Sequence, residues 1–131
     1  MFMTKSELLI RTKQLALRVI RLVESLPKNK TTNVIGGQLL RSATSVGANY
    51  RAACRAKSTA DFINKLAIVE EEADESIYWI ELLVETGQIK ANLVTDLLSE
   101  FDGIVSIVVS AIKTSKSKRN PKSQFPNHKS I

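Results

Sequence analysis

At 131 residues with a single cysteine, Cys54, the chain has room for one domain and excludes both an internal disulfide and a thiolate zinc cluster. Hydrophobic residues make up 44% and aromatics only 5%, with five glycines and three prolines, which excludes a many-stranded sheet and leaves a core of Leu, Ile, Val and Ala on helical stripes. The net charge of +6 favours acidic partners and is unevenly spread: residues 31–60 carry four basic groups and no acid, whereas residues 61–90 carry two basic and eight acidic groups.

Thr4-Lys5-Ser6-Glu7 has the spacing of a capping box, so the first helix is predicted to start there. Leu8, Leu15, Val19, Leu22 and Leu26 fall on one stripe of it, and Pro27 stops it. Lys5 and Glu7 precede the first apolar run and no small-residue cleavage site follows, which argues against a secretory signal. Together with the lone cysteine this predicts a cytoplasmic protein.

A second helix is predicted from Thr32 to Cys54, capped by Thr31 or Thr32. At about 100° per residue, Ile35, Leu39, Ala43, Val46, Tyr50 and Ala53 gather on one face, and Arg41, Arg51 and Arg55 on the opposite one. Between them runs a neutral polar stripe, Gln38, Ser42, Ser45 and Asn49. Such groups beside an apolar face need partners, so the stripe predicts either a buried network or a subunit contact, or else serine back-bonding to the preceding turn.

Ser58-Thr59-Ala60-Asp61 is a second capping signature, and the third helix is predicted to extend to Thr86, with Gly87 as its left-handed terminator. Phe62, Leu66, Val69, Ala73, Ile77, Ile80 and Val84 form its expected core stripe. A second stripe carries Ile68, Glu72, Glu75, Trp79 and Leu82. A helix with two seams meets more than one neighbour, and a tryptophan on the outer seam predicts a homo-oligomer interface, the acidic groups docking against the arginine face of the next copy.

The fourth helix is predicted from about Asn92 to Thr114, with Leu93, Leu97, Phe101, Ile104, Val108 and Ile112 inward and Gly103 interrupting it. Its most apolar run, Ile104 to Ile112, is far shorter than the roughly 20 residues of a membrane span. Residues 115–131 are Lys, Ser, Asn and Pro with little to bury and read as a flexible basic tail, leaving residues 1–114 as the folded domain. The expected architecture is an all-α, antiparallel up-and-down four-helix bundle.

Catalytic chemistry finds no support in this pattern. The only histidine, His128, falls in the predicted tail, and Cys54 between arginines lacks a histidine base. The cluster Glu70, Glu71, Glu72, Asp74 and Glu75 lacks the Glu-x-x-His pairs of carboxylate metal bundles, and Gly36-Gly37 lacks the G-x-G-x-x-G spacing of a nucleotide loop. No enzyme, metal, cofactor, small-molecule substrate or membrane partner is therefore expected. Arg41, Arg51 and Arg55, with the tail lysines Lys116, Lys118 and Lys122, are instead the candidate nucleic-acid-binding residues, since phosphate contacts need no base-stacking aromatics.

The run Gln38-Leu39-Leu40-Arg41-Ser42-Ala43-Thr44-Ser45-Val46-Gly47-Ala48-Asn49 resembles the second-helix motif of the bacterial four-helix bundle proteins, also called 23S ribosomal RNA intervening-sequence proteins. The likeness continues through Asp61-Phe62-Ile63 and Glu71-Glu72-Ala73-Asp74-Glu75-Ser76 to Tyr78-Trp79-Ile80-Glu81-Leu82-Leu83, and Leu26-Pro27-Lys28 is similar to the family's first loop. It covers roughly residues 8 to 112. The resemblance implies a left-handed four-helix bundle assembling into a ring, usually a pentamer, with no known catalytic activity. A similar fold, the accessory variability determinant of diversity-generating retroelements, binds a reverse transcriptase and nucleic acid through a basic surface. This chain departs from the commoner pattern at Leu40-Arg41, where paired arginines are usual, and at Arg51-Ala52-Ala53, where Ala-Glu-Gly is usual, which makes its second helix more basic. The combined expectation is a non-catalytic oligomeric accessory factor that binds RNA or a nucleic-acid-processing protein. The alternative is an assembly module without nucleic acid.

Overall fold

The first three helices begin where a side chain can take up amides that have no partner in the first turn. The structure, a computed structural model, describes residues 3–119. Helix α1 (Lys5–Ser25) opens on the predicted capping box: Glu7 N–H donates to Thr4 Oγ1 at 3.1 Å, and Thr4 N–H to Glu7 Oε1 at 2.8 Å. Helix α2 (Lys30–Cys54) starts two residues earlier than the threonines suggested. Its cap is Asn29, whose Oδ1 accepts from Thr32 N–H at 2.9 Å while Thr32 Oγ1 accepts from Asn29 N–H at 3.2 Å. Asn29 wins because Thr32, three residues on, completes a reciprocal box and is itself buried.

Helix α3 (Thr59–Glu85) is capped by Ser58, as the sequence predicts, and terminates on Gly87 at φ 76°. Gln88 N–H reaches Leu83 O and Gly87 N–H reaches Val84 O, the paired bonds of a Schellman end that needs a left-handed residue. A short 3₁₀ turn (Ala91–Leu93) precedes α4 (Thr95–Arg119). Two expectations change here. The three-residue turn shifts the helical phase, so Val94 is fully buried where Leu93 was expected inward, and Leu93 is 68% exposed. The helix is also continuous through Arg119, the last described residue, past the boundary expected at 114. Lys122 and His128 lie outside the described residues, as does the rest of the expected tail beyond residue 119.

The helices alternate in direction. Asn29 bonds to Gln88 and Ser42 to Ser76, so numbers rise along α2 as they fall along α3. Contacts join α1 to α2, α2 to α3 and α3 to α4, and α4 returns to α1 through Arg11 and Glu100, an up-and-down four-helix bundle with no strand among the described residues. The α1–α2 crossing is close at Thr12, which is buried and donates to Leu8 O, and at Gly47, where a Cβ would sit 3.4 Å from Thr12 O.

Leu15, Val19, Leu39, Val46, Leu66, Val69, Ile80, Leu83, Phe101, Ile104 and Val108 make one core, each removing roughly 1.5–3 kcal/mol worth of side chain from water. On α3 the fully inward line is Ile63, Leu66, Val69, Ala73, Ser76, Ile80 and Leu83. Phe62, Ile77 and Val84, expected inward, are half-buried at its margin because α3 faces α2 on one side and α4 on the other, and only the line between them is enclosed. No helix among the described residues is long and apolar enough to cross a membrane.

Candidate functional site

The three arginines of α2 do not share one surface. Arg41 turns to α3, where its guanidinium donates to Glu72 Oε1 at 3.0 Å and pairs with Glu75. Trp79 Nε1–H donates to the same Glu75 carboxylate at 2.9 Å, and its ring packs half-buried against the core. The acidic stripe of α3 and Arg41 thus meet within one chain, whereas the sequence placed that meeting between copies. Ile68 and Leu82, on the same stripe, are half-buried and stand outside the core, and Tyr78, edge-on to Trp79 at 5.1 Å, is 53% exposed.

The polar stripe of α2 divides along its length. Gln38 is exposed and accepts from Arg41 Nε at 3.2 Å. Ser42 is fully buried, its hydroxyl 2.8 Å from that of Ser76, and each also lies within reach of a carbonyl of its own helix, Leu39 O and Glu72 O; with one proton each, one hydroxyl donates across and the other backwards. Ser45 and Asn49, half-buried, bond to each other at 2.8 Å. The network reading and the back-bonding reading therefore both hold, at the same residues.

Arg51 and Arg55 lie on the other side of α2, against α1. With Lys13 they rim a groove of about 470 Å³ whose floor is Leu9, Ala16, Gly47 and Ala48. Cys54 belongs to this groove and also to a second recess at the end of the bundle, so the two adjoin. The end recess, about 490 Å³, is where the up-and-down topology gathers the N-termini of α1 and α3 and the C-termini of α2 and α4. Lys5, Lys57 and Lys118 line it together with Ser58, Thr59, Ser115, Tyr50 and Phe62.

Lys118 was expected from the sequence, and Lys116 beside it is exposed on the same last turns of α4. Lys5, Lys13 and Lys57 were missed. Their signal was present, since Lys5 follows the first cap and Lys57 precedes the second, and helix ends two apart in an up-and-down bundle come together.

The acids at this end are committed elsewhere. Glu7 closes the Thr4 capping box, whose backbone hydrogen bond holds its carboxyl below the ordinary glutamate range, and Asp61 lies 3.4 Å from Lys65. Burial, then the interaction with Cys54, pushes the Tyr50 hydroxyl up, so it adds no negative charge at neutral pH. None of Lys5, Arg51, Arg55, Lys57, Lys116 or Lys118 forms an ion pair among the described residues. Among those residues no three His, Cys, Asp or Glu groups are gathered as a metal site. What the arrangement offers is concentrated positive charge on a concave surface, with an apolar groove leading to it.

A family model described as 23S rRNA-intervening sequence protein matches residues 4–110. A crystal structure described as a protein with unknown function from the S23 ribosomal protein family of Bacteroides thetaiotaomicron is 37% identical, with a TM-score of 0.79 over 85% of this chain and 99% of that one. No curated protein matches the chain.

Proposed function

From the premise that the chain belongs to the 23S rRNA-intervening sequence protein family, we propose that it is a non-catalytic accessory factor that binds RNA through the basic end of its bundle. The observation that carries this reading is the gathering of Lys5, Arg51, Arg55, Lys57, Lys116 and Lys118 at one end without an acidic partner among the described residues. Five of them line the two adjoining recesses, more unneutralised charge than solubility requires, and a phosphate backbone is the partner that such charge attracts. Arg41, neutralised by Glu72 and Glu75, contributes nothing to it.

Binding of a generic single-stranded RNA to the full chain, followed across a salt series, tests the proposal. The logarithm of the binding constant should fall linearly with the logarithm of salt concentration, with a slope of about −0.7 per phosphate contacted. Absence of binding at low salt, or binding indifferent to salt, would overturn it.

A second reading, self-association, is favoured by the outer face of α3. Tyr78 is exposed edge-on to half-buried Trp79, and half-buried Leu82 follows one turn on, an apolar patch on the C-terminal half of α3. A ring, with five copies as the family resemblance implies, would cover it. Light scattering should then give a mass several times 14.5 kDa, and Leu82→Asp should lower it with helicity unchanged. A wild-type monomer at micromolar concentration refutes this reading and leaves the first intact.

A further inference from the structure

We infer that the end recess is a receptor for a terminal phosphate monoester of a nucleic-acid strand, the adjoining α1–α2 groove carrying the residues that follow. The inference rests on the RNA-binding reading above and adds to it which part of the strand is held where.

Three lysines, Lys5 of α1, Lys57 of the α2–α3 connection and Lys118 of α4, line one concave site. An internal phosphodiester carries a single negative charge, whereas a terminal monoester carries about −1.5 to −2 at neutral pH and offers three acceptor oxygens. Cations lining one site therefore favour the monoester in proportion to its extra charge.

The recess also supplies donors suited to those oxygens. The hydroxyls of Thr59 and Ser115 line it, and α3 begins there. Within that first turn Asp61 N–H is taken by Ser58 Oγ and Phe62 N–H by Ser58 O, and the amides of Thr59 and Ala60 precede the first intrahelical donor. Phe62 gives an apolar wall for the sugar or base that carries the phosphate.

The shape argues in the same direction. The recess adjoins the groove of Arg51 and Arg55 through Cys54, and through Phe62, Ser115 and Lys118 it adjoins a third groove whose other charged lining residue is Glu7, so a phosphate backbone is drawn to the arginine side alone. A strand lying in that groove, its backbone against the arginines, reaches the lysines with its end. The volume, about 490 Å³, accommodates a single terminal nucleotide.

The test uses the full-length protein and one short single-stranded RNA, labelled internally, in three forms: phosphate at the 5′ end, phosphate at the 3′ end, and hydroxyls at both ends. Fluorescence anisotropy should show one phosphorylated form binding at least about tenfold tighter than the hydroxyl form, and which form it is gives the polarity of the strand. Lys57→Gln with Lys118→Gln should erase that preference, whereas Arg51→Gln with Arg55→Gln should weaken all three forms alike and keep it. Equal affinity of the three forms for the wild-type protein overturns the terminal-phosphate inference and leaves RNA binding standing. A preference that survives in the lysine variant overturns the assignment to this recess. Binding of no form at low salt overturns both this inference and the function it rests on.

Discussion

The hydroxyl oxygens of Ser42 and Ser76 lie 2.8 Å apart in the middle of the α2–α3 contact, with neither side chain reaching solvent. The bond between the two hydroxyls forms only in this register, while the carbonyls of Leu39 and Glu72 offer each hydroxyl an acceptor within its own helix. Each single Ala replacement should lower unfolding free energy by about 0.5–1.5 kcal/mol, and the double replacement by less than the sum, since it removes the unsatisfied partner as well. Denaturant melts of the four proteins in this cycle measure the coupling. Strictly additive losses would show that each hydroxyl relies on its own helix carbonyl, Leu39 O or Glu72 O, and not on the other.

Arg41→Gln should leave RNA affinity and its salt slope unchanged, whereas Arg51→Gln with Arg55→Gln should reduce both. The reason is local: Arg41 is already paired with Glu72 and Glu75, and the other two arginines have no ion-pair partner among the described residues. Anisotropy titrations at two salt concentrations distinguish the cases. A loss in the Arg41 variant equal to that of the double variant would return Arg41 to the binding surface.

Arg11 forks onto Glu100 across the α1–α4 seam, Nε to Oε2 at 2.7 Å and Nη2 to Oε1 at 2.9 Å. The hydrogen bond from Arg11 holds the Glu100 carboxyl below its ordinary value of 4.5, against a smaller opposing effect of burial. A carboxyl depressed on folding stabilises the native state above its unfolded pKa, and that contribution is lost as pH falls through the folded value. Stability should therefore decline from about pH 4.5 downward more steeply in the wild type than in Glu100→Gln, as thermal melts across that range would record. Parallel curves would remove the pair from the acid response. Gly103 belongs to the same seam, since a Cβ there would sit 3.2 Å from Arg11 Nη2. Gly103→Ala should gain up to about 1 kcal/mol of helix propensity in the Glu100→Gln background, where the arginine is released, and less in the wild type.

The phase of the α3–α4 connection is decided between two adjacent residues. Leu93→Ala should change stability by less than about 0.5 kcal/mol, as at other surface positions. Val94→Ala, though it deletes a smaller side chain, should cost at least about 1.5 kcal/mol, and Leu66→Ala in the centre of the core about 2–5 kcal/mol. Chemical denaturation of the three variants checks the order. A larger loss at Leu93 than at Val94 would restore a helix continuous from Asn92.

Much of this protein is written locally. The capping box at Thr4, the cap at Ser58, the left-handed terminator Gly87 and the apolar stripes of α1 and α2 follow from rules that act over one or two helical turns, so the sequence by itself determined four helices and where the first and third begin. Where a single turn of different pitch intervenes, as at Ala91–Leu93, periodicity misplaces the residue inside that turn, Leu93, although the face that follows, Leu97, Phe101, Ile104 and Val108, is inward as predicted. Only the tertiary structure decided which charges meet. Arg41 and the α3 glutamates lie more than thirty positions apart in the chain and are joined by the antiparallel register of α2 on α3, and Lys5, Lys57 and Lys118 come from three segments that the alternation of direction brings to one end. Side-chain spacing fixes a residue's face on its own helix. Its partner is fixed by the rotation and register at which whole helices pack, and those are set by the enclosed core.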